Sequence, residues 1–150
     1  MKLAEALIER ADLKKAIMQV RSRMATSALV QEGNEPAEDV GKLFSVHNGL
    51  MERLEWLIIQ INRTNCVTAF DDGTLSDAIA RRDCLKSKIK AYQDLYKSST
   101  QRDRFSRNEI KFVRYVDLVK LQGMIDGISK QYRELDTKIQ GLNWTIDLIE

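Results

Sequence analysis

Arg10 and Arg82 are the residues of this sequence whose type and position most clearly suggest chemistry. Each lies in a row of apolar residues spaced three and four apart, the spacing that places side chains on one face of a helix. A buried guanidinium needs partners, because an unpaired buried charge is costly. Its planar fork of N–H donors matches the geometry of a carboxylate or a phosphate. The two arginines are therefore candidates for binding an anion.

Polar residues elsewhere in the sequence are expected to lie at a similar depth. Asn62 and Asn143 occupy matching places in two similar segments, and Glu55 and Asp136 precede them by seven residues. Seven residues are about two helical turns, so each acid shares a face with its asparagine. The candidate ligand-binding residues are Arg10, Arg82, Asn62, Asn143, Glu55, Asp136 and Trp144.

Three interpretations of this polar layer are open. In the first, the arginines pair with acids and the layer only fixes the register of the helices. The acids available for such pairs are Glu55, Asp136, Glu9 and Asp83. In the second, the arginines and the two amides converge on a small anionic ligand or metabolite. In the third, Arg10 and Arg82 extend along the apolar surface and place their charges in solvent.

The sequence contains no pattern that predicts a catalytic residue, a metal site or a cofactor. His47 is its only histidine, and Cys66 and Cys84 lack the spacing of zinc ligands. There is no glycine-rich phosphate loop and no nucleophile motif of the GxSxG type. These observations favour a protein that is not an enzyme.

Four helices must position the polar residues. Apolar residues at helical spacing cover residues 3–24, 43–61, 75–96 and 118–149. An Asp-Asp-Gly turn signal precedes the third of these rows. Thr74 follows that signal and has an acid three residues later, the pattern of a capping box at a helix start.

The chain also contains an internal repeat. Residues 3–17 align with residues 75–89 at a shift of 72, and residues 54–64 align with residues 135–145 at a shift of 81. One copy of each matching pair lies in each half of the chain. This arrangement indicates a duplicated helical hairpin.

The helices and the repeat together predict the fold. We expect a mainly all-α protein, an antiparallel up-down four-helix bundle forming a single domain over residues 1–150. Its two hairpins should cover about 1–65 and about 74–150. Residues 110–116 alternate apolar and polar side chains, so we also expect a short β-pair at the loop end, formed with residues 28–31.

Charge and composition restrict the partners. The net charge of the 150 residues is +2, which is too small to indicate nucleic acid or an acidic membrane as a partner. Basic and aromatic residues interleave over residues 102–115, a pattern that can bind single-stranded nucleic acid. Acids dilute this cluster, so we expect a solvated loop or a tip that contacts a protein, and nucleic acid is the weaker alternative.

The sequence predicts a cytoplasmic protein. Charged residues interrupt the N-terminal segment where a signal peptide would be apolar. The apolar stretch over residues 56–59 is far shorter than a membrane-spanning helix, so we expect no membrane association. Two cysteines in a chain with few loops suit a reducing compartment.

Trp56 and Ile59 lie off the apolar row of the second predicted helix. Together with Leu57 and Ile58 they make one turn of that helix apolar nearly all round. A helix of this kind is buried on more than one side. We therefore predict a homo-oligomer with Trp56 and Ile59 in the interface, formed most simply around a twofold axis.

Seven motifs spread along nearly the whole chain carry a family resemblance. They are LAEALIERADL at 3–13, VQEGNEPAED at 30–39, INRTN at 61–65, TLSDAIARRD at 74–83, RNEIK at 107–111, VDLVKLQ at 116–122 and RELDTKIQGLNW at 133–144. In this order they resemble an uncharacterised bacterial family whose members carry the name septicolysin. The resemblance implies a helical fold of unknown activity and brings no catalytic residues with it.

Two functions follow from the sequence as hypotheses. The first is a cytoplasmic, non-enzymatic helical-bundle protein that self-associates and acts through protein contacts. The second is binding of a small anion or metabolite at the polar layer of the bundle. The first rests on the duplicated hairpin and the apolar turn of the second helix, and the second rests on Arg10 and Arg82.

Overall fold

The computed structural model describes residues 1–100 and 112–150 and is mainly helical, as predicted. Four long helices dominate it, and one short antiparallel pair of strands lies between the second and third helices. The elements are α1 (Leu3–Ser27), α2 (Val40–Val67), β1 (Ala69–Phe70), β2 (Gly73–Thr74), α3 (Leu75–Thr100) and α4 (Leu118–Thr145).

Side-chain caps fix where the helices begin. Asp39 caps α2 by accepting hydrogen bonds from the backbone N–H groups of Gly41 (2.8 Å) and Lys42 (3.3 Å). At α3 the capping box is present as predicted: Asp77 accepts from the Thr74 N–H at 2.9 Å, and the Thr74 hydroxyl accepts from the Asp77 N–H at 3.3 Å. Both caps pair N–H groups that the first turn of a helix leaves free.

Two compact units make up the chain. Unit 1 consists of Met1–Ala69 with Gly141–Glu150, and unit 2 consists of Phe70–Gln140. The last ten residues thus group with the first hairpin rather than with the second. Backbone hydrogen bonds explain this grouping: the Leu3 N–H donates to the Ile146 carbonyl (2.9 Å), and the Leu148 N–H donates to the Met1 carbonyl (2.8 Å).

The predicted apolar rows form the buried faces of the helices. In unit 1 the fully buried large side chains include Leu3, Leu57 and Ile61, and in unit 2 they include Leu75 and Ile139. The arginines lie on these same faces, and both Arg10 and Arg82 are half-buried. Spacing alone therefore placed the arginines on the correct face of α1 and α3.

The predicted strand at 110–116 is wrong for the residues that can be described. Residues 112–116 form neither strand nor helix, residues 28–31 contain no strand, and residues 110–111 lie outside the described part of the chain. The strand pair is instead β1–β2, around a turn in which Asp71 has φ 46°. Pairing β1 with β2 costs little conformational entropy, because a tight turn joins the two strands. Pairing residues 28–31 with residues 110–116 would require closing a much longer loop.

The helix bounds also correct the register of the repeat. The helices α1 and α3 begin at Leu3 and Leu75, which agrees with the predicted shift of 72. The helices α2 and α4 begin at Val40 and Leu118, which gives a shift of 78. At this shift the buried Leu43 matches Leu121, and the buried Ile61 matches Ile139. The predicted shift of 81 rests on local identities and differs from 78 by three residues. Three residues are close to one helical turn, so the two alignments match much of the same apolar pattern.

Candidate functional site

Arg82 is held by two carboxylates within unit 2. Its Nε and Nη2 atoms donate to Asp83 Oδ1 at 3.0 and 2.8 Å, and its Nη1 atom donates to Asp136 Oδ1 at 3.4 Å. Because Arg82 is on α3 and Asp136 is on α4, the second contact joins the two helices. The side chains of Arg82 and Asp136 are only 22% and 31% exposed, so water weakens this contact less than it weakens a surface pair.

The pKa of Arg82 reflects both its burial and its acidic neighbours. Burial is the largest single influence and lowers the pKa of the guanidinium. The hydrogen bonds and charges of Asp83 and Asp136 together outweigh burial, so the pKa of Arg82 lies above its ordinary value. The arrangement agrees with the first interpretation of the polar layer, in which acids pair with the arginine.

Arg10 lacks an equivalent pair. Among residues 1–100 and 112–150, no carboxylate lies within ion-pair distance of its guanidinium. The neighbouring Glu9, which the sequence offered as a partner, binds Arg53 of α2 instead, with Nε to Oε1 at 2.7 Å and Nη2 to Oε2 at 3.0 Å. Two parallel bonds of this kind form a bidentate pair.

The Glu9–Arg53 pair extends to an aromatic ring. The guanidinium carbon of Arg53 lies 4.5 Å from the centre of the Trp56 ring, a cation–π distance. The hydrogen bond from Arg53 holds the pKa of Glu9 below its ordinary value. The hydrogen bond to Glu9 raises the pKa of Arg53, and Glu150 adds a weaker attraction. Trp56 itself is half-buried.

The remaining predicted ligand-binding residues of unit 1 differ in exposure. Asn143 is buried, at 4% exposed, whereas Glu55, Asn62 and Trp144 are exposed. Asn62 and Asn143 therefore differ in environment, and at the shift of 78 they are not matching positions. Among the described residues, two of the predicted acids, Asp83 and Asp136, form hydrogen bonds with Arg82.

A buried polar contact that the sequence did not reveal centres on Thr64. Its hydroxyl donates to the Gln60 carbonyl at 2.8 Å and accepts from the Ile149 N–H at 3.0 Å. Thr64 and Gln60 are both buried within unit 1. The contact attaches the C-terminal residues to α2. It could not be predicted from the sequence, because a single polar residue near a helix end carries no signal of a distant partner.

One flank of α2 carries exposed apolar side chains. Phe44, Met51 and Ile58 follow one another at intervals of seven residues and are all exposed, although α2 buries a different row against α1. We call these three residues the α2 apolar row. Beside it runs an open groove of about 500 Å³, and its lining includes Met51, Ile58 and the predicted interface residue Ile59.

Trp56 and Ile58 lie on opposite sides of α2. Two residues correspond to about 200° of rotation around a helix, so no single partner helix covers both side chains. Ile59 is 40% exposed, and Trp56 is half-buried under Arg53. Of the two predicted interface residues, Ile59 is the one that lies beside the α2 apolar row.

The basic and aromatic cluster of the third connection is only partly within the described chain. Arg102, Arg104, Phe105, Arg107 and Lys111 lie outside it. Phe112 and Tyr115 are exposed, and the Arg114 Nε donates to the Ser99 carbonyl at 2.9 Å, which closes the end of α3. In the part of the chain that the structure describes, no three His, Cys, Asp or Glu residues group as metal ligands.

The described residues form a mainly helical protein, with an arginine–carboxylate pair between helices in each of its two units. None of the described helices has the length and apolar character needed to cross a membrane. The chain belongs to a family of unknown function, DUF6847, whose model matches residues 10–148. It is 38% identical to a functionally unknown conserved protein from Corynebacterium diphtheriae, with a TM-score of 0.93 against that crystal structure over 99% of each chain. None of the curated proteins matches it.

Proposed function

We propose that the protein is a non-enzymatic, cytoplasmic helical protein that self-associates through the α2 apolar row and acts through protein contacts. The observation that carries the proposal is the row itself: Phe44, Met51 and Ile58 are exposed on a helix whose core-facing side is already buried. The exposed thiols of Cys66 and Cys84, which form no disulfide, suit a reducing compartment.

The internal repeat argues that the fold itself does not require this row. At the shift of 78, the residues of α4 that match Phe44, Met51 and Ile58 are Gln122, Ser129 and Asp136. The second hairpin thus has polar side chains at these positions, of which Asp136 contacts Arg82 of α3. Exposed apolar side chains that a fold can do without are typical of a contact surface.

The spacing of the row fits a twofold partner. Phe44 precedes Met51 by seven residues and Ile58 follows it by seven, so the row is symmetric about Met51. If two copies of α2 pair antiparallel about an axis at Met51, Phe44 of one copy lies opposite Ile58 of the second copy. Intervals of seven residues keep a row facing its partner along the length of a helix pair.

Sedimentation velocity over a range of concentrations tests this proposal. We expect a wild-type dimer and a monomeric Met51→Glu protein, because a carboxylate at the twofold axis would be buried against its own copy. Met18→Glu is the matched control, since Met18 is an exposed methionine on α1 rather than α2, and this variant should remain dimeric. A monomeric wild-type protein, or a Met51→Glu protein that sediments like the wild type, would contradict the proposal.

Trp56→Glu identifies the flank of α2 that forms the interface. Pairing through the α2 apolar row predicts that Ile58→Glu dissociates the dimer and that Trp56→Glu weakens it less, because Trp56 lies on the opposite side. The reverse order would place the interface on the Trp56 flank and would exclude the row. Circular dichroism of both variants checks that the helices are retained.

Arg82 is better explained as a link between helices than as a ligand site. Two carboxylates already accept hydrogen bonds from its Nε, Nη1 and Nη2 atoms, and an incoming anion would meet their negative charge. The small-anion alternative at the Arg10 and Arg82 layer therefore gains no support from the Arg82 contacts. We infer that Arg82 and Asp136 fix the register of α3 against α4.

A further inference from the structure

The two hairpins differ at the position of an ion pair between helices. In unit 1, Glu9 of α1 pairs with Arg53 of α2. At the shifts of 72 and 78, Glu9 matches Arg81 of α3, and Arg53 matches Gln131 of α4. The second hairpin thus has an arginine where the first has the acid, and a neutral amide where the first has the arginine.

Arg81 and Gln131 line a cleft between α3 and α4, within unit 2. The cleft has a volume of about 880 Å³ and is open to solvent. We call it the α3–α4 cleft. Its lining residues are Arg81, Leu85, Gln131, Arg133, Glu134, Leu135, Thr137 and Lys138. Leu85 and Leu135 are half-buried and supply an apolar floor, while the charged residues are exposed.

Positive charge exceeds negative charge around this cleft. Glu134 lies 3.9 Å from Lys130, and Lys138 lies 3.9 Å from Asp71, so these two charges have opposite neighbours of their own. Arg81 and Arg133 form no ion pair with any residue among 1–100 and 112–150. Arg81 is attracted by Asp77 one turn earlier, but the carboxylate of Asp77 is hydrogen-bonded to Thr74 in the cap of α3.

We propose that the α3–α4 cleft binds an amphipathic organic anion, with its carboxylate or sulfonate held by Arg81 and Arg133 and its apolar part on Leu85 and Leu135. The guanidinium fork matches the shape of such a head group. Pockets that combine an apolar lining with a few directed polar groups are typical of small-molecule sites. The site is distinct from the Arg82 pair and does not depend on self-association.

Isothermal titration with sodium decanoate tests the proposal, and decylamine of the same chain length is the matched cation. We expect saturable binding of decanoate and none of decylamine at concentrations below the micellar range. Arg81→Gln and Arg133→Gln should each weaken decanoate binding roughly tenfold, since each removes one charge-assisted contact. Arg21→Gln, at an exposed arginine of α1, should leave the affinity unchanged.

Each other outcome overturns the proposal. Equal binding of decanoate and decylamine would mean that only the apolar surface is recognised. Decanoate binding that survives in the Arg81→Gln, Arg133→Gln double variant would place the anion elsewhere, and absence of decanoate binding to the wild-type protein would exclude the site. Amide N–H shifts in a ¹⁵N spectrum, expected near Leu85 and Leu135 for the wild type, locate the ligand independently of any variant.

Discussion

The two hairpins of this chain consist of similar helices but differ in their buried residues and in their ion pairs. Unit 1 buries ten apolar residues and closes its helices with the bidentate Glu9–Arg53 pair. Among its described residues, unit 2 buries five apolar residues, and Arg82–Asp136 is its ion pair between helices. The two hairpins therefore have similar helices but different side chains between and beside those helices.

The flanks of α2 and α4 also differ between the two hairpins. In the first hairpin the flank of α2 is apolar at Phe44, Met51 and Ile58, and in the second the corresponding flank of α4 is polar. The residues of unit 2 that match the Glu9–Arg53 pair of unit 1 are Arg81 and Gln131. We therefore propose self-association through the first hairpin and anion binding at the second.

The largest expected difference between the hairpins concerns the core. Leu57 is 0% exposed and its match in α4, Leu135, is half-buried. Leu57→Ala should lower the free energy of unfolding by about 3 kcal/mol, because it leaves a cavity. Leu135→Ala should lower it by about 1 kcal/mol. Urea denaturation followed by circular dichroism measures both, and equal losses would contradict the assignment of the deeper core to unit 1.

A smaller difference is expected for the two matching arginines. Arg82→Met should lower the free energy of unfolding by about 1 kcal/mol, because it leaves Asp136 part-buried without its partner. Arg10→Met should change it little, since no carboxylate among the described residues pairs with Arg10. The same denaturation experiment compares the two variants. A larger loss for Arg10→Met would show that the charge of Arg10 is the one that matters.

The smallest expected effect is the pH dependence of the Glu9–Arg53 pair. Because the folded-state pKa of Glu9 lies below the ordinary glutamate value of 4.5, the pair stabilises the folded protein above that pH. Its contribution is lost as the pH falls through the folded-state pKa. Partial exposure limits the effect to about 0.5 kcal/mol.

Glu9→Gln isolates this contribution. The variant should melt at a lower temperature than the wild type at pH 7, and the difference should disappear in acid. Glu55→Gln, at an exposed carboxylate of α2, is the control and should show no such convergence. A difference between Glu9→Gln and wild type that persists in acid would mean that the charge of Glu9 is not responsible.

Sequence periodicity predicted the helices well but not the contacts between their polar side chains. Spacings of three and four residues placed Leu57, Ile61 and Arg82 on buried or half-buried faces, because a helix repeats every 3.6 residues. The same periodicity is nearly insensitive to a three-residue error, which is why Asn62 was paired with Asn143. Which acid reaches which arginine depends on side-chain geometry across helices, so the Glu9–Arg53 pair was not predicted although Glu9 was a candidate.

Cross-linking at the centre of the α2 apolar row tests the proposed function most directly. In a background of Cys66→Ser and Cys84→Ser, a Met51→Cys protein is treated with a short bismaleimide, and Met18→Cys serves as the control. A twofold pairing about Met51 predicts rapid formation of a covalent dimer for Met51→Cys and little for Met18→Cys. Equal rates for the two proteins, or no dimer from Met51→Cys, would contradict self-association through this row.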